Sequence, residues 1–135
     1  MWIYDNNPLI DIPETAYGFV YLITNITNGK KYIGKKLFWF RKTKQVKGKK
    51  KRIKVESDWR DYWSSSDEVK KDVELFGADK FIREILHICP NKGLCNYLEA
   101  REQMDRRVLE SDLYYNGQIQ CRVHKTHIKN LAKNK

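Results

Sequence analysis

Acidic residues are missing from one long stretch of this chain: between Thr15 and Val55 there is neither aspartate nor glutamate. Cysteine is scarce and odd in number, with Cys89, Cys95 and Cys121 alone. A domain of this length buries a core without covalent staples, so the three read as reduced thiols, and the expected location is cytoplasmic. Three prolines and seven glycines exclude collagen-like and Pro/Gly-rich low-complexity composition. No apolar run approaches the roughly 18 residues of a membrane span, and no signal-peptide pattern opens the chain. A membrane partner is therefore not expected. Neither a glycine-rich nucleotide loop nor a nucleophilic Ser or Cys triad is visible, so no small-molecule cofactor is expected either.

Positive charge is abundant. Lys and Arg number 27 against 17 Asp and Glu, a net charge of +10. The acid-free stretch concentrates it: Arg41, Lys42, Lys44, Lys47, Lys49, Lys50, Lys51, Arg52 and Lys54 fall within one short run, and Lys30, Lys31, Lys35 and Lys36 precede it. A second basic tail carries Arg122, Lys125, Lys129, Lys133 and Lys135. Such a distribution is the footprint of a polyanion partner. The basic run has no clean amphipathic helical period, which favours nucleic acid over a membrane surface. An aromatic content of 13% and an ordinary hydrophobic content of 41% argue for a packed core rather than disorder.

Periodicity sets out the elements of a single expected domain over residues 1–135. Residues 1–16, with Pro8 and Pro13, read as an extended lead-in. Phe19 to Thr24 and Lys31 to Gly34 are β-branched and aromatic around Asn28-Gly29, a hairpin signal. With Asn25 to Asn28 as the loop, Tyr21 and Tyr32 stand directly opposite; with Asn28-Gly29 as the turn they are offset. Both registers put the two phenols on one face, because side chains alternate with period two. Gly34 beside Tyr32 leaves room for a close approach to the backbone. The basic run over about 37–56, turning near Lys47-Gly48-Lys49, reads as an inserted hairpin or flexible finger. A helix is predicted after Ser64-Ser65-Ser66, with Val69, Val73 and Phe76 inward, Gly77 as its stop and the serines as caps. Phe81 to Cys89 is a third strand. A second helix is predicted from Pro90-Asn91 to about Glu110, burying Leu94, Tyr97, Leu98, Met104 and Val108. The expected fold is α+β, a small antiparallel three-stranded sheet flanked by helices and interrupted by the basic insertion. Trp39, Trp59 and Trp63 are candidates for stacking on bases, with core packing expected of at least two.

The tripeptide Phe19-Val20-Tyr21, then Tyr32-Ile33-Gly34 eleven positions after Tyr21, resembles the signature of the GIY-YIG nuclease superfamily. The second half matches literally, and the first keeps the tyrosine but not the Gly-Ile. The resemblance covers about residues 18–118, with the basic segment as an insertion and 119–135 as a tail. It implies a divalent-metal-dependent endonuclease acting on DNA, expected to be double-stranded. It implies a tyrosine as general base, a basic side chain at the phosphate, and one Mg²⁺ or Mn²⁺ held by a single glutamate. On this chain it points to Tyr21 as the base, Tyr32 positioning water or phosphate, and Glu99 as metal ligand with Glu102 the nearest competitor. Lys35 and Lys36 stand close enough in sequence to favour the phenolate of Tyr21, whose ordinary pKa near 10 makes it a poor base. For the arginine, Arg60 in Ser57-Asp-Trp-Arg-Asp-Tyr-Trp63 stands slightly ahead of Arg41. Tyr62 matches a companion position filled by His or Tyr in the family. Ser64 and its neighbours offer a phosphate contact at a helix start, and Asn116 resembles an asparagine that closes the family's domain.

Two other readings are weaker. His87, Cys89 and Cys95, or Cys121, His124 and His127, have zinc-ligand chemistry but not the paired spacing of a structural site. A non-catalytic nucleic-acid-binding module of the same fold accounts equally well for the composition.

Overall fold

The computed structural model describes residues 1–128 and Leu131. Nine elements carry the argument: strands β1 (Trp2–Tyr4), β2 (Asn7–Pro8), β3 (Gly18–Asn25), β4 (Lys31–Leu37), β5 (Trp39–Val46), β6 (Lys49–Glu56) and β7 (Phe81–Cys89), and helices α1 (Asp67–Phe76) and α2 (Lys92–Asp105). Five strands form one sheet in the order β2-β1-β7-β3-β4, and β5 and β6 form a second, two-stranded one. The α+β class agrees with expectation. The main sheet is larger than the three strands expected, and it is mixed, because β1 runs parallel to β7.

The difference lies in the lead-in. Asp5 and Asn6 adopt positive φ between β1 and β2, a turn that short polar side chains tolerate. The tight hairpin returns the chain so that Ile3 pairs with Pro8. Trp2 is the driving residue: it is 1% exposed, and its indole N–H donates to the Trp59 carbonyl at 2.6 Å. One large aromatic side chain thus converts a nominally extended leader into two sheet strands.

β3 is buried on both faces, the mark of a central strand with a layer on each side. Phe19, Tyr21 and Ile23 point into an aromatic core with Trp2, Phe38, Trp59, Val69 and Phe81. Val20 and Leu22 point the other way, into a smaller core with Ile33, Cys89, Cys95, Leu98 and Val108. α1 contributes Val69 to the first layer, and α2 contributes Cys95 and Leu98 to the second. Between Val20 and Tyr21 the pairing with β7 shifts by one residue, leaving Leu86 unmatched. This bulge lets Ile85 and Ile88, three apart, both pack on the aromatic core.

The helices differ from expectation in detail. α1 begins at its Ser66 cap, whose side chain accepts from the Val69 N–H at 3.3 Å, and ends at Gly77 with φ of 94°. Phe76, expected inward, is 38% exposed. α2 stops at Asp105 rather than near Glu110, because Arg107 turns left-handed and a short 3₁₀ turn over Val108–Glu110 follows. Its buried residues are Cys95, Leu98, Ala100 and Gln103, while Met104 is exposed. The inserted segment is an eight-on-eight hairpin that turns through Lys47 and Gly48, both at positive φ, as a tight two-residue turn requires. Of the basic tail, Lys129, Lys133 and Lys135 lie outside the described residues. Among the described residues no helix is long and apolar enough to cross a membrane.

Because Trp2 fills the centre of the aromatic layer, Trp2→Ala is expected to cost about 3–5 kcal/mol. The midpoint of urea unfolding measures it, and a change below about 1 kcal/mol would mean that the leader strands are dispensable.

Candidate active site at the sheet edge

Tyr21 and Tyr32 share a face, as alternation requires, but in neither of the two registers expected. Asn25 bonds to Lys30 across a four-residue loop, so Tyr21 stands opposite Gly34 and Tyr32 opposite Ile23. The phenol rings are 6.1 Å apart. The Tyr21 ring lies over Gly34, where an added Cβ would fall 2.6 Å from Cζ of Tyr21 and 2.9 Å from Cε1 of Tyr32. The close approach that the glycine permits is therefore that of Tyr21 itself.

β4 is the edge of the sheet, and that fact shapes the site. Tyr32 and Gly34 face the aromatic layer, whereas Ile33 and Lys35 face α2. Glu99 on α2 meets Tyr32 around this edge, in a pocket of about 560 Å³ lined also by Lys35, Ser65, Ser66, Gln103 and Tyr115–Gln118. Asn116 holds the edge in place. Its Oδ1 accepts the Ile33 N–H at 3.0 Å, and its Nδ2 donates to the Ile33 carbonyl at 2.8 Å, as a further strand would. Gln103 Nε2 donates to the same carbonyl at 3.1 Å. One residue earlier in the chain, Tyr115 N–H donates to the Lys31 carbonyl at 2.7 Å. Its hydroxyl donates to Asp72 Oδ2 at 2.7 Å and accepts from Asn25 at 3.0 Å.

The electrostatics separate the two glutamates. Glu99 is 15% exposed, with Lys35 Nζ 3.9 Å from its carboxylate. Burial pushes its pKa up and Lys35 only partly offsets this. Lys35 also donates to Asn96. Burial pushes the Glu102 carboxyl up as well, but bonds from His87 (2.9 Å) and Arg106 (3.0 Å) outweigh it and hold it below the usual range. Glu102 is thereby occupied by His87 and Arg106, and it does not line the pocket. Tyr21 is 1% exposed. Burial, then the neighbouring Tyr62, Tyr32 and Glu99, drives its pKa well above the ordinary phenol value. The expected lowering by Lys35 and Lys36 is not present in this arrangement: Lys35 turns to Glu99 across the edge, and Lys36 pairs with Asp58 at 2.5 Å.

The remaining sequence-predicted residues divide. Tyr62 packs edge-on against Tyr21 at 6.1 Å, with the Lys36 ammonium 4.1 Å over its ring. Ser64 is fully buried at φ of 80° and accepts the Ser66 N–H, a turn role. Ser65 presents its hydroxyl 3.4 Å from that of Tyr32. Arg60 is not brought to this pocket. It sits on a three-residue 3₁₀ turn rather than a helix, bonded to Glu56 at 2.9 Å and to the Ile10 carbonyl, with its guanidinium on Trp59. Arg41 lies at the foot of the hairpin, beside a different cleft. Among the described residues lining the pocket, Lys35 is the one Lys or Arg. Of the tryptophans, Trp59 is core, and Trp39 and Trp63 are partly buried against it.

Arg83 and Gln103 escaped the sequence reading. Arg83 is sandwiched between Trp2 and Trp63, and its guanidinium donates to the Arg60 and Tyr62 carbonyls at 3.1 and 2.9 Å, fixing the segment that carries Tyr62. Its place in the alternating run Phe81-Ile-Arg-Glu-Ile85, on the apolar parity, is the signal that was available. Gln103 is 5% exposed, four residues after Glu99, and its Oε1 has no partner among the described residues. Oxygens of Glu99, Gln103 and Tyr32 make a hard donor set suited to Mg²⁺ or Mn²⁺. Among the described residues there is no cluster of three or more His, Cys, Asp or Glu. A cation here would complete its shell with water and phosphate.

Gly34→Ala places a methyl group within the Tyr21 ring and is expected to destabilise by about 1–3 kcal/mol. Thermal melts of Gly34→Ala, and of the same change in a Tyr21→Leu background, check this. The cost should shrink markedly once the ring is gone.

The sequence matches, over residues 2–119, the family described as "Putative endonuclease segE, GIY-YIG domain". Comparison with curated proteins and with solved structures finds no match.

Proposed function

Since the chain belongs to this GIY-YIG endonuclease domain family, we propose that it is a divalent-metal-dependent nuclease that hydrolyses phosphodiester bonds in double-stranded DNA at the edge of β4. The observation carrying this reading is the meeting of Tyr32, Lys35 and Glu99 in one pocket across the two faces of an edge strand. Family membership supports nuclease chemistry and a nucleic-acid substrate. The roles of individual residues, the cation and the duplex are our own assignments.

Glu99 would hold the cation, with Gln103 close by, and the bound ion would supply positive charge to the scissile phosphate and its leaving oxygen. The raised pKa of Glu99 fits a carboxylate held ready for a cation in a partly dry site. Lys35 is the cation best placed to face a phosphate oxygen and takes the part expected of an arginine. Tyr32 faces the pocket and accepts the proton of the attacking water, with Ser65 orienting its hydroxyl. Exposure favours Tyr32 over Tyr21 in this reading: Tyr21, sealed behind Gly34, supports Tyr32 rather than meeting water. Asn116 keeps the Ile33 peptide, and so the flanking Tyr32 and Gly34, at a constant position relative to α2.

The absence of an arginine among the described pocket residues favours a second reading, a binding module that has lost catalysis. Supercoiled plasmid incubated with Mg²⁺ separates the two. The nuclease reading expects nicking by the wild type that falls at least about 100-fold in Glu99→Gln and in Tyr32→Phe, with duplex binding retained. Plasmid bound but never nicked by the wild type would favour the module. Tyr21→Phe is expected to lose less than Tyr32→Phe; the reverse order would return the base to Tyr21.

A phenol base also fixes the sign of the pH dependence. An ordinary phenol has a pKa near 10, so a tyrosine acting as base makes nicking climb about tenfold per unit between about pH 6.5 and 8.5. Single-turnover rates at saturating cation measure this, and a rate flat over that range would exclude a tyrosine as base.

Loss of the Asn116 amide removes the acceptor of the Ile33 N–H and one of the two donors to its carbonyl, with Gln103 left as the other. Asn116→Ala is expected to lower stability by about 1–3 kcal/mol and to reduce nicking more than duplex affinity. Urea melts, nicking rates and gel shifts on one preparation test it.

A further inference from the structure

The β5–β6 hairpin pairs with no strand of the main sheet. It is nevertheless anchored firmly at its root. Phe38 is fully buried, its carbonyl accepts the Ser57 N–H at 2.8 Å, and Ser57 Oγ donates to the Leu37 carbonyl. The ribbon therefore projects from the domain at a set angle, beside the strand that carries the active site.

Its two faces differ in chemistry. Residues paired across a ladder share a face, and successive pairs alternate. Arg41 with Lys54, Thr43 with Arg52 and Gln45 with Lys50 make one face. Phe40 with Val55, Lys42 with Ile53, Lys44 with Lys51 and Val46 with Lys49 make the other. All six residues of the first set are exposed, while Ile53 and Val55 on the second are half-buried. The one carboxylate on the first face, Glu56 at its root, is neutralised by Arg60 at 2.9 Å.

Like charges set directly opposite, as Arg41 with Lys54 and Lys44 with Lys51, disfavour the hairpin by itself. A surrounding polyanion removes that cost. A major groove about 12 Å wide admits a two-stranded ribbon, and eight residues per strand reach about 25 Å, enough to follow it for several base pairs. There the side chains that read sequence are those with paired donors and acceptors: Arg at guanine, Gln at adenine, with Thr as a lesser contact. Those types fall on the first face, and on the second the polar groups are lysines alone, suited to phosphates as point charges.

We propose that the face bearing Arg41, Thr43, Gln45 and Arg52 enters the major groove of duplex DNA and determines which sequences are bound, while Lys42, Lys44, Lys49 and Lys51 hold the backbone. This rests on the nuclease reading above and assigns target selection to the ribbon.

Selection from a randomised duplex library by the full chain in EDTA buffer tests it. The wild type is expected to recover a preferred sequence, bound at least about tenfold better than random duplex. The triple variant Arg41→Lys, Gln45→Ala, Arg52→Lys should lose that preference while keeping its affinity for random duplex and its salt dependence. Lys42→Ala, Lys44→Ala, Lys51→Ala should keep the preference and bind every sequence more weakly, with a salt slope shallower by about 0.9 for each phosphate no longer neutralised. Replacing guanine by 7-deazaguanine in the recovered sequence, which removes a major-groove acceptor, should weaken the wild type about tenfold. A preference that survives in the Arg/Gln variant, a wild type with none, or indifference to 7-deazaguanine overturns the proposal. Continued nicking of plasmid in any of those cases leaves the nuclease reading standing, whereas loss of both nicking and duplex binding removes the two together.

Discussion

Ile33 sits on the outermost strand of the sheet, where a peptide ordinarily has no neighbour on one side. Asn116 supplies one, accepting the Ile33 N–H and donating to its carbonyl, with Gln103 as a second donor. An open edge is both a weak point and an opportunity. Left unpaired it would fray or pair with another chain, and covered by a full strand it would separate the two faces of the sheet. The backbone of 113–115 pairs with Lys31, and beyond it a side-chain amide in place of a continued strand satisfies the Ile33 peptide. Through that gap a phenol from one face and a carboxylate from the other come to line the same pocket.

The aromatic layer behind the gap sets how Tyr32 is presented. Trp2, Phe19, Phe38 and Trp59 interlock at centroid separations between 4.8 and 6.2 Å and hold Tyr21 among them. Tyr21 can lie over β4 only where no side chain intervenes, and Gly34 provides that place. Arg83, inserted between Trp2 and Trp63, ties the layer to the segment carrying Tyr62. Its buried guanidinium gives up solvation, which lowers its pKa, and recovers part of the loss through two carbonyls and two ring faces. The site is thus supported from behind by packing and from the edge by hydrogen bonds.

Much of this was legible in the chain. The hairpin around Tyr21 and Tyr32, α1 with its Ser66 cap and Gly77 stop, β7 and the basic ribbon turning at Lys47-Gly48 all follow from local chemistry. Glu99 lines the pocket and Glu102 does not, and the sequence offered no sight of the His87 and Arg106 contacts that occupy Glu102. What escaped was non-local. The leader became two strands because Trp2 found Trp59, 57 positions away. α2 ended early because Arg107 turned left-handed, a conformation no residue type there announces. Arg60 was drawn to Glu56 and Ile10 instead of the pocket.

Parity along the chain alone determined that Tyr21 and Tyr32 share a face, that Arg41, Thr43 and Gln45 share another, and that positive charge gathers in an acid-free insertion. Alternation with period two and the composition of a contiguous segment are properties of the covalent sequence, whatever the chain later packs against. Only the tertiary structure decided which strand stands at the edge, which phenol is sealed and which meets solvent, and which carboxylate arrives beside it. Those outcomes depend on strand order, on the extra residue at Leu86 and on partners dozens of positions apart, where the competing contacts differ by amounts no local pattern records.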